Sequence, residues 1–306
     1  MKKMSRKKVL TQSPELVGRQ IEMAQIRACI QAGRNVLLEG PVGVGKTHLA
    51  LAITKELGVP VFRVDGDSRY SEQKLSGWFD PPVVVKKGFT RESFIPGPLV
   101  EAMKKGGVLF INALNRLPEG VQNVLLPAID EGVIVVPRLG EVRAADGFLV
   151  IATQNPKEFV ATSHLSEAIL DRFELVALDY QAEAEEVSIV EAGIQGLKLK
   201  ARADSNLALA SVRLARLTRE HPRVRRGASI RAAQGVAEIA AVLMGAGQSF
   251  EDAFLQAALL ALPTRIEIER DAESDQSARD ELLGLLREWS KAALDSLPGG
   301  ELKKKT

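Results

Sequence analysis

The sequence is short of the residues that most site chemistry needs. It has a single cysteine, Cys29, in 306 residues, which excludes an internal disulfide framework and a thiolate zinc cluster. Its three histidines, His48, His164 and His221, stand far apart with no spacing of the His-Glu-x-x-His kind. A metal centre built mainly from protein side chains is therefore not expected. Aromatic residues make up 5% of the chain, little material for a base-stacking surface. No apolar run approaches the ~18–20 residues of a membrane span. The basic start, Met1 to Lys8, is not followed by the apolar core of a signal peptide. Charge of one sign is not in excess either. The 41 basic and 39 acidic residues leave a net +2, which gives no global field for a polyanion. The expectation is a cytoplasmic protein with no membrane span and no default affinity for nucleic acid.

What is present is the composition of an ordinary globular protein, 45% hydrophobic and 26% charged. The length is about twice the ~150-residue prior for one domain, so two domains are expected. Short apolar runs alternate with helical patterns over roughly the first 180 residues. Asn35–Glu39 reads as a strand and Thr47–Leu57 as a helix, with Leu49, Ile53 and Leu57 spaced by four and Gly58 as its stop. Further strands are read at Val61–Val64, Gly107–Ile111, Phe148–Ala152 and Leu175–Leu178. Apolar runs of this length between helices predict a parallel sheet covered on both faces. Two stretches interrupt the alternation. Residues 76–98 read as a hairpin-like insertion around Val83–Phe89, and residues 132–147 as two extended runs about a Leu139-Gly140 turn.

Beyond residue 183 the pattern is helical throughout, at Ala184–Gln195, Asn206–His221, Ser229–Met244, Phe250–Leu262 and Ser277–Leu294. The expected organisation is a basic tail over 1–9, a doubly wound α/β core over 10–182, and an all-helical lid over 183–306. The lid ends in a second basic tail, Lys303-Lys-Lys305.

The most specific signal is Gly40-Pro-Val-Gly-Val-Gly-Lys-Thr47, a complete G-x-x-x-x-G-K-[ST] between a predicted strand and a predicted helix. Chance alone would give such a match about once in 100 chains of this length. Glycines let backbone N–H groups curl around phosphate oxygens, and the helix N-terminus adds a favourable dipole. The expected cradle is Pro41, Val42, Gly43, Val44, Gly45, Lys46, Thr47 and His48. Lys46 should reach the β- and γ-phosphates of ATP, and the Thr47 hydroxyl should ligate Mg2+.

In P-loop ATPases the end of a neighbouring strand supplies an acid on the Mg2+ side and a glutamate that polarises the attacking water. Here Asn112 and Ala113 stand at those two positions. Asn112 still offers an amide oxygen to a metal-bound water but brings no negative charge. Ala113 has no proton chemistry. Tight nucleotide binding with slow turnover is the expectation. A lost water-polarising group is worth about 10²–10⁴-fold.

The P-loop, Leu16-Val-Gly-Arg-Gln-Ile-Glu22, Phe94-Ile-Pro-Gly-Pro-Leu99, Phe110–Arg116, Val121–Gly132, Val150–Pro156, Leu170-Asp-Arg-Phe173 and Gly227–Arg231 follow one another in an order that resembles the MoxR-type AAA+ ATPases, those with an insert in the second helix. The resemblance covers nearly the whole chain. It implies a strand order of 5-1-4-3-2, with the 76–98 insertion as the helix-two insert and 132–147 as the hairpin before the sensor strand. It implies that Val17 and Gly18 border the adenine and that Asn155 is the polar sensor. Arg172 would be an arginine finger acting on a neighbouring subunit's ATP, and Arg231 the second sensor. It also implies a homo-oligomer, commonly a hexameric ring, and a partner protein that can carry a von Willebrand factor A domain.

Plainer readings stand beside these roles. Asn155-Pro156 suits a strand-ending turn, and Arg172 suits a surface pair with Asp171 or Glu174. Arg231 belongs to an arginine-rich stretch with Arg213, Arg216, Arg219, Arg223, Arg225 and Arg226, and Val133–Val136 suits either core strand or a substrate-facing element. Pro127 inside the predicted helix Val121–Glu131 should cost a hydrogen bond or kink it. Three functions follow from the sequence: an ATP-driven chaperone or remodeller of a partner complex, a non-hydrolysing ATP-gated scaffold ring, and a nucleic-acid motor supported only by the basic tails and the arginine stretch.

Overall fold

The computed structural model describes residues 16–155, 165–197, 205–269 and 277–298. Both basic tails, His164 and Pro156 lie outside these residues. The chain divides into two compact units, Arg19–Tyr180 and the segment up to Gly18 together with Gln181 onward.

The first unit runs α1 (Gln20–Gln31), β1 (Asn35–Glu39), α2 (Lys46–Leu57), β2 (Val61–Asp65), α3 (Glu72–Ser76), β3 (Gly77–Phe79), α4 (Pro81–Lys87), β4 (Phe94–Pro96) and α5 (Pro98–Lys105). It continues with β5 (Val108–Asn112), α6 (Glu119–Asp130), β6 (Val133–Val136), β7 (Gly140–Arg143), β8 (Leu149–Gln154), α7 (Glu167–Leu170) and β9 (Phe173–Ala177). Five strands form one sheet in the order β2-β5-β8-β1-β9, and all four pairings are parallel. Counted along the chain, that is the 5-1-4-3-2 order. Val108, Leu109, Phe110 and Ile111 of β5 are all fully buried, as an unbroken apolar run requires when helices cover both faces.

The 76–98 segment differs from the simple hairpin the sequence suggested. Its ends do pair antiparallel, Trp78 opposite Ile95, but Pro81–Lys87 between them is a helix. Two prolines open it, where a missing N–H costs nothing and the fixed φ is already helical. That start outweighs the strand preference of Val83, Val84 and Val85. The second interruption is an antiparallel hairpin, β6 with β7, as its pattern predicts. Its turn residue Arg138 stacks 3.8 Å over the Phe89 ring, joining the two excursions. Helix α6 passes through Pro127 unbroken. Both Pro127 and Asn123, whose carbonyl loses its donor, are exposed, so water can satisfy the orphaned oxygen.

The second unit holds α8 (Glu183–Gly196), α9 (Ser205–Glu220), β10 (Val224–Arg226), α10 (Ile230–Gly245), α11 (Phe250–Ala261), β11 (Glu267–Ile268) and α12 (Ala278–Asp295). It is helical as the sequence pattern predicts, with one addition, the small antiparallel ribbon β10–β11. Alanines make its core: Ala232, Ala233, Ala237, Ala240 and Ala241 of α10 and Ala253, Ala257, Ala258 and Ala261 of α11 are buried. Such small side chains let helix axes approach closely, around the larger Phe254. Among the described residues, no helix is long and apolar enough to cross a membrane.

Most of the arginine stretch is committed inside this unit. Arg216 and Arg219 both pair with Glu186, at 3.2 and 2.7 Å. Arg213 pairs with Glu183 at 3.3 Å, Arg223 with Glu281, and Arg225 with Glu267 at 3.8 Å. Glu186 is only 1% exposed, so its removal would leave Arg219, itself largely buried, without its countercharge. Glu186→Ala should destabilise this unit by about 3 kcal/mol and Glu186→Gln by less. Differential scanning calorimetry of the full chain reads both.

Candidate functional site

Parallel strands bring their carboxyl ends to one edge of the sheet, where ligands bind in such folds. The loop after β1 begins at Gly40, packed so tightly that a Cβ there would stand 2.2 Å from the Leu178 carbonyl oxygen. Gly43 and Gly45 have φ of 81° and 96°, and Gly45 caps α2. Left-handed glycines next to a helix N-terminus form an anion-binding nest of backbone N–H groups. Lys46 Nζ donates to the Gly40 and Pro41 carbonyls at 2.6 and 2.8 Å, which closes the loop upon itself. Val44 is buried beneath it, while Val42 and His48 are exposed.

Arg19 has no role that the sequence motif assigns, and the structure gives it one. Its buried guanidinium donates to the Val44 carbonyl at 3.0 Å, to the Asp179 carbonyl at 2.6 Å and to Glu22 at 2.5 Å. One side chain thereby ties the phosphate loop to the chain leaving β9. The sequence signal was a charged residue directly after Val17-Gly18, a position no periodicity explains.

A second polar cluster is built on the neighbouring strand ends. Thr47 Oγ1 donates to Asn112 Oδ1 at 3.2 Å, and Thr153 Oγ1 donates to the same oxygen at 3.1 Å. Asn112 Nδ2 donates to Asp65 Oδ1 at 3.0 Å. Asp65 lies opposite Asn112 in the β2–β5 register. The Arg63 guanidinium holds the Asp65 carboxyl below the usual carboxylate range, and Asn112 adds to this while partial burial opposes it. Two oxygen donors so close suit Mg2+, which takes few protein ligands and keeps waters and phosphate oxygens. Among the described residues, no group of three His, Cys, Asp or Glu side chains could hold a metal by itself.

Ala113 has φ 60° and ψ 63°, a left-handed conformation that alanine rarely adopts. It is held there from two sides. Its N–H donates to Thr153 Oγ1 at 2.9 Å, and Gly66 lies so close that a Cβ on Gly66 would stand 2.0 Å from the Ala113 carbonyl oxygen.

Asn155 follows β8, which lies between β5 and β1, so it shares the edge with Lys46, Thr47, Asn112 and Ala113. Its carbonyl accepts from Asn115 Nδ2 at 3.4 Å. Arg172 is placed differently. It precedes β9, at the amino end of a strand parallel to β1, on the edge opposite the phosphate loop. Its Nε donates to both Asp130 oxygens at 2.6 and 2.7 Å, and its Nη1 to the Ala168 carbonyl. Neither Asp171 nor Glu174 is the partner that the plain reading expected.

Val17, Gly18 and Arg231 belong to the second unit. The Val17 carbonyl accepts from Gln181 at 2.8 Å. Gly18 has φ 69°, and a Cβ there would meet the Glu185 carboxylate at 2.4 Å. Arg231 is exposed in the first turn of α10.

With this geometry in place, comparison with known proteins identifies the first unit's domain type. The AAA domain of the dynein-related subfamily matches residues 35–173. Residues 35–173 are thus an AAA domain, in line with the motifs that resemble the MoxR-type AAA+ ATPases. Similar proteins include the gas vesicle ATPase GvpN of Haloferax mediterranei, 31% identical over 233 residues, 70% of this chain and 65% of that one. Gas vesicle ATPase GvpN1 of Halobacterium salinarum is 31% identical over 181 residues, 54% of this chain and 52% of that one. The chain thus spans about half to two thirds of the length of the curated relatives it matches. Among solved structures, a RuvB mutant of Thermotoga maritima superposes with a TM-score of 0.53 at 17% identity, over 80% of this chain and 70% of that one. NtrX of Brucella abortus, determined in complex with ADP, gives a TM-score of 0.55 at 19% identity, over 92% and 62%. These two likenesses establish the fold.

Replacing Arg19 by methionine keeps its bulk and removes three hydrogen bonds. Arg19→Met should destabilise the first unit by about 2–3 kcal/mol, from the two carbonyls left without donors. Amide hydrogen exchange should quicken at Val44–Lys46 more than in the rest of the sheet.

Proposed function

We propose that this chain binds ATP with Mg2+ on the Gly40–Thr47 loop and works as a homo-oligomeric ring, hexameric by family habit, that remodels a partner protein complex. The observation that carries the reading is the position of Arg172. It stands at the sheet edge opposite the phosphate loop, so a role at γ-phosphate requires the site of a neighbouring copy. The Asp130 pairing keeps the guanidinium ordered, and a positioned arginine neutralises charge that develops on the transferred phosphoryl group.

Within one site, Lys46 and the loop amides would hold the phosphates, and Thr47 with Asn112 would hold the metal side. Bound Mg2+ would offset the charge of the β- and γ-phosphates. Asn155 would sense the γ-phosphate from the end of β8. Val17 and Gly18 would border the adenine, and Arg231 would act as the second sensor. Turnover would be slow, because Ala113 offers no group to polarise water. The relatives named as ATPases support ATP hydrolysis as the ancestral activity of the domain. By the same resemblance the partner is a protein, with a von Willebrand factor A domain as one form.

A second reading, an ATP-gated scaffold that does not hydrolyse, is favoured by the same alanine. The nucleic-acid reading has lost its main support, since five arginines of the 213–231 stretch pair with carboxylates of their own unit.

Steady-state ATP hydrolysis and ATP binding, measured on this chain beside Ala113→Glu and Lys46→Ala, separate the readings. For the remodeller, both this chain and Ala113→Glu bind ATP, Lys46→Ala does not, and Ala113→Glu hydrolyses about 10²–10⁴-fold faster. Equal, negligible turnover in both binding forms favours the scaffold. Absence of ATP binding by the unmodified chain overturns the assignment of the loop. Sedimentation with ATP should show a ring that Arg172→Ala still assembles but that no longer turns over in the Ala113→Glu background.

A further inference from the structure

Asp65 has no role in the reading above, although it touches the centre of the site. We infer that Asp65 is a positioning residue of this nucleotide site: held by Arg63, it fixes the Asn112 amide so that the amide oxygen faces Thr47 and the metal side. The inference rests on the proposed binding of ATP with Mg2+ and deepens it.

An asparagine amide has two orientations of nearly equal shape, and only its partners decide between them. A carboxylate only accepts hydrogen bonds, so the Asn112 group 3.0 Å from Asp65 Oδ1 is the Nδ2 donor. That forces Oδ1 to the other side, where it accepts from Thr47 and Thr153 at 3.2 and 3.1 Å. Turned the other way, the amide would set an N–H pair against two hydroxyls and an oxygen against a carboxylate. Asp65 is in turn gripped by Arg63, with contacts of 2.7, 3.0 and 3.1 Å.

Position 112 keeps the acceptor that orients the Thr47 hydroxyl, and the Arg63–Asp65 pair, one hydrogen bond further out, keeps that acceptor turned inward. The placement is set by the sheet, because Asp65 and Asn112 are paired residues at adjoining strand ends. Gly66 continues the contact, its N–H donating to the Asn112 carbonyl at 2.7 Å. Asp65 is thus a positioning residue, acting on the metal through Asn112. A clasp that merely ends the sheet would share these hydrogen bonds, but its loss would not depend on Mg2+.

The test is the affinity for a fluorescent ATP analogue, measured with Mg2+ and with EDTA, in the full chain. Mg2+ should tighten binding to the unmodified chain. Asp65→Asn, which lets the Asn112 amide turn, and Asp65→Ala, which frees it altogether, should each lose about tenfold of affinity in Mg2+. Binding in EDTA should stay within about twofold, which also shows that the variants fold. The exchange Asp65→Asn with Asn112→Asp reverses the donor and keeps the charge, so it should restore the Mg2+ effect. Asn112→Asp alone would set two carboxylates side by side and should not exceed the exchange.

If Mg2+ tightens Asp65→Asn as much as the unmodified chain, Asp65 is a structural clasp and the inference falls while the ATP site stands. Failure of the exchange to restore the Mg2+ effect overturns it likewise. If the unmodified chain binds no analogue, both the inference and the proposed function fall.

Discussion

The chemistry of this protein depends on one constraint, the parallel register of five strands. Because β1, β5 and β8 run the same way, their carboxyl ends deliver Gly40–Thr47, Asn112–Ala113 and Asn155 to a single edge. Because β9 runs that way too, Arg172 is carried to the other edge. A register shift of one residue would reverse the face of every side chain in a strand, and Asp65 would no longer face Asn112. Buried apolar runs fix the strands, and the strand ends then place the polar groups.

The fold was legible in the sequence because its signals were local and agreed with one another. The apolar run Val108–Ile111 gave a buried strand, and Gly40–Thr47 gave the turn into α2. Ser229, Ser249 and Ser277 cap the helices beginning at Ile230, Phe250 and Ala278, near the starts that periodicity predicts. Misreadings arose where two local rules conflict. At Pro81–Lys87 three β-branched valines follow two prolines, and the prolines' fixed φ decides for helix. The β10–β11 ribbon carried too few residues for any period to register.

The candidate site was less legible, and for a physical reason. A motif records which residues a loop contains, whereas partners across strands depend on register. Lys46 and Thr47 were named from the motif alone. Asp65, Thr153 and Arg19 were not, because each acts on a residue far away in sequence: Asn112 for the first two, Val44 for Arg19. The arginine stretch shows the converse. As a sequence feature it resembles a basic surface, yet Glu183, Glu186, Glu267 and Glu281 come to it from other elements.

Ala113 separates the geometry of the site from its chemistry. A left-handed alanine costs roughly 1–2 kcal/mol, so the residue does not choose its conformation. Thr153 holds its N–H, and the bare backbone of Gly66 lies against its carbonyl. The surroundings therefore impose the turn whatever side chain stands at 113, and they would impose it on a glutamate at the same backbone cost. Thr153 and Gly66 thus set the backbone at 113, and the side chain alone decides what that position can do.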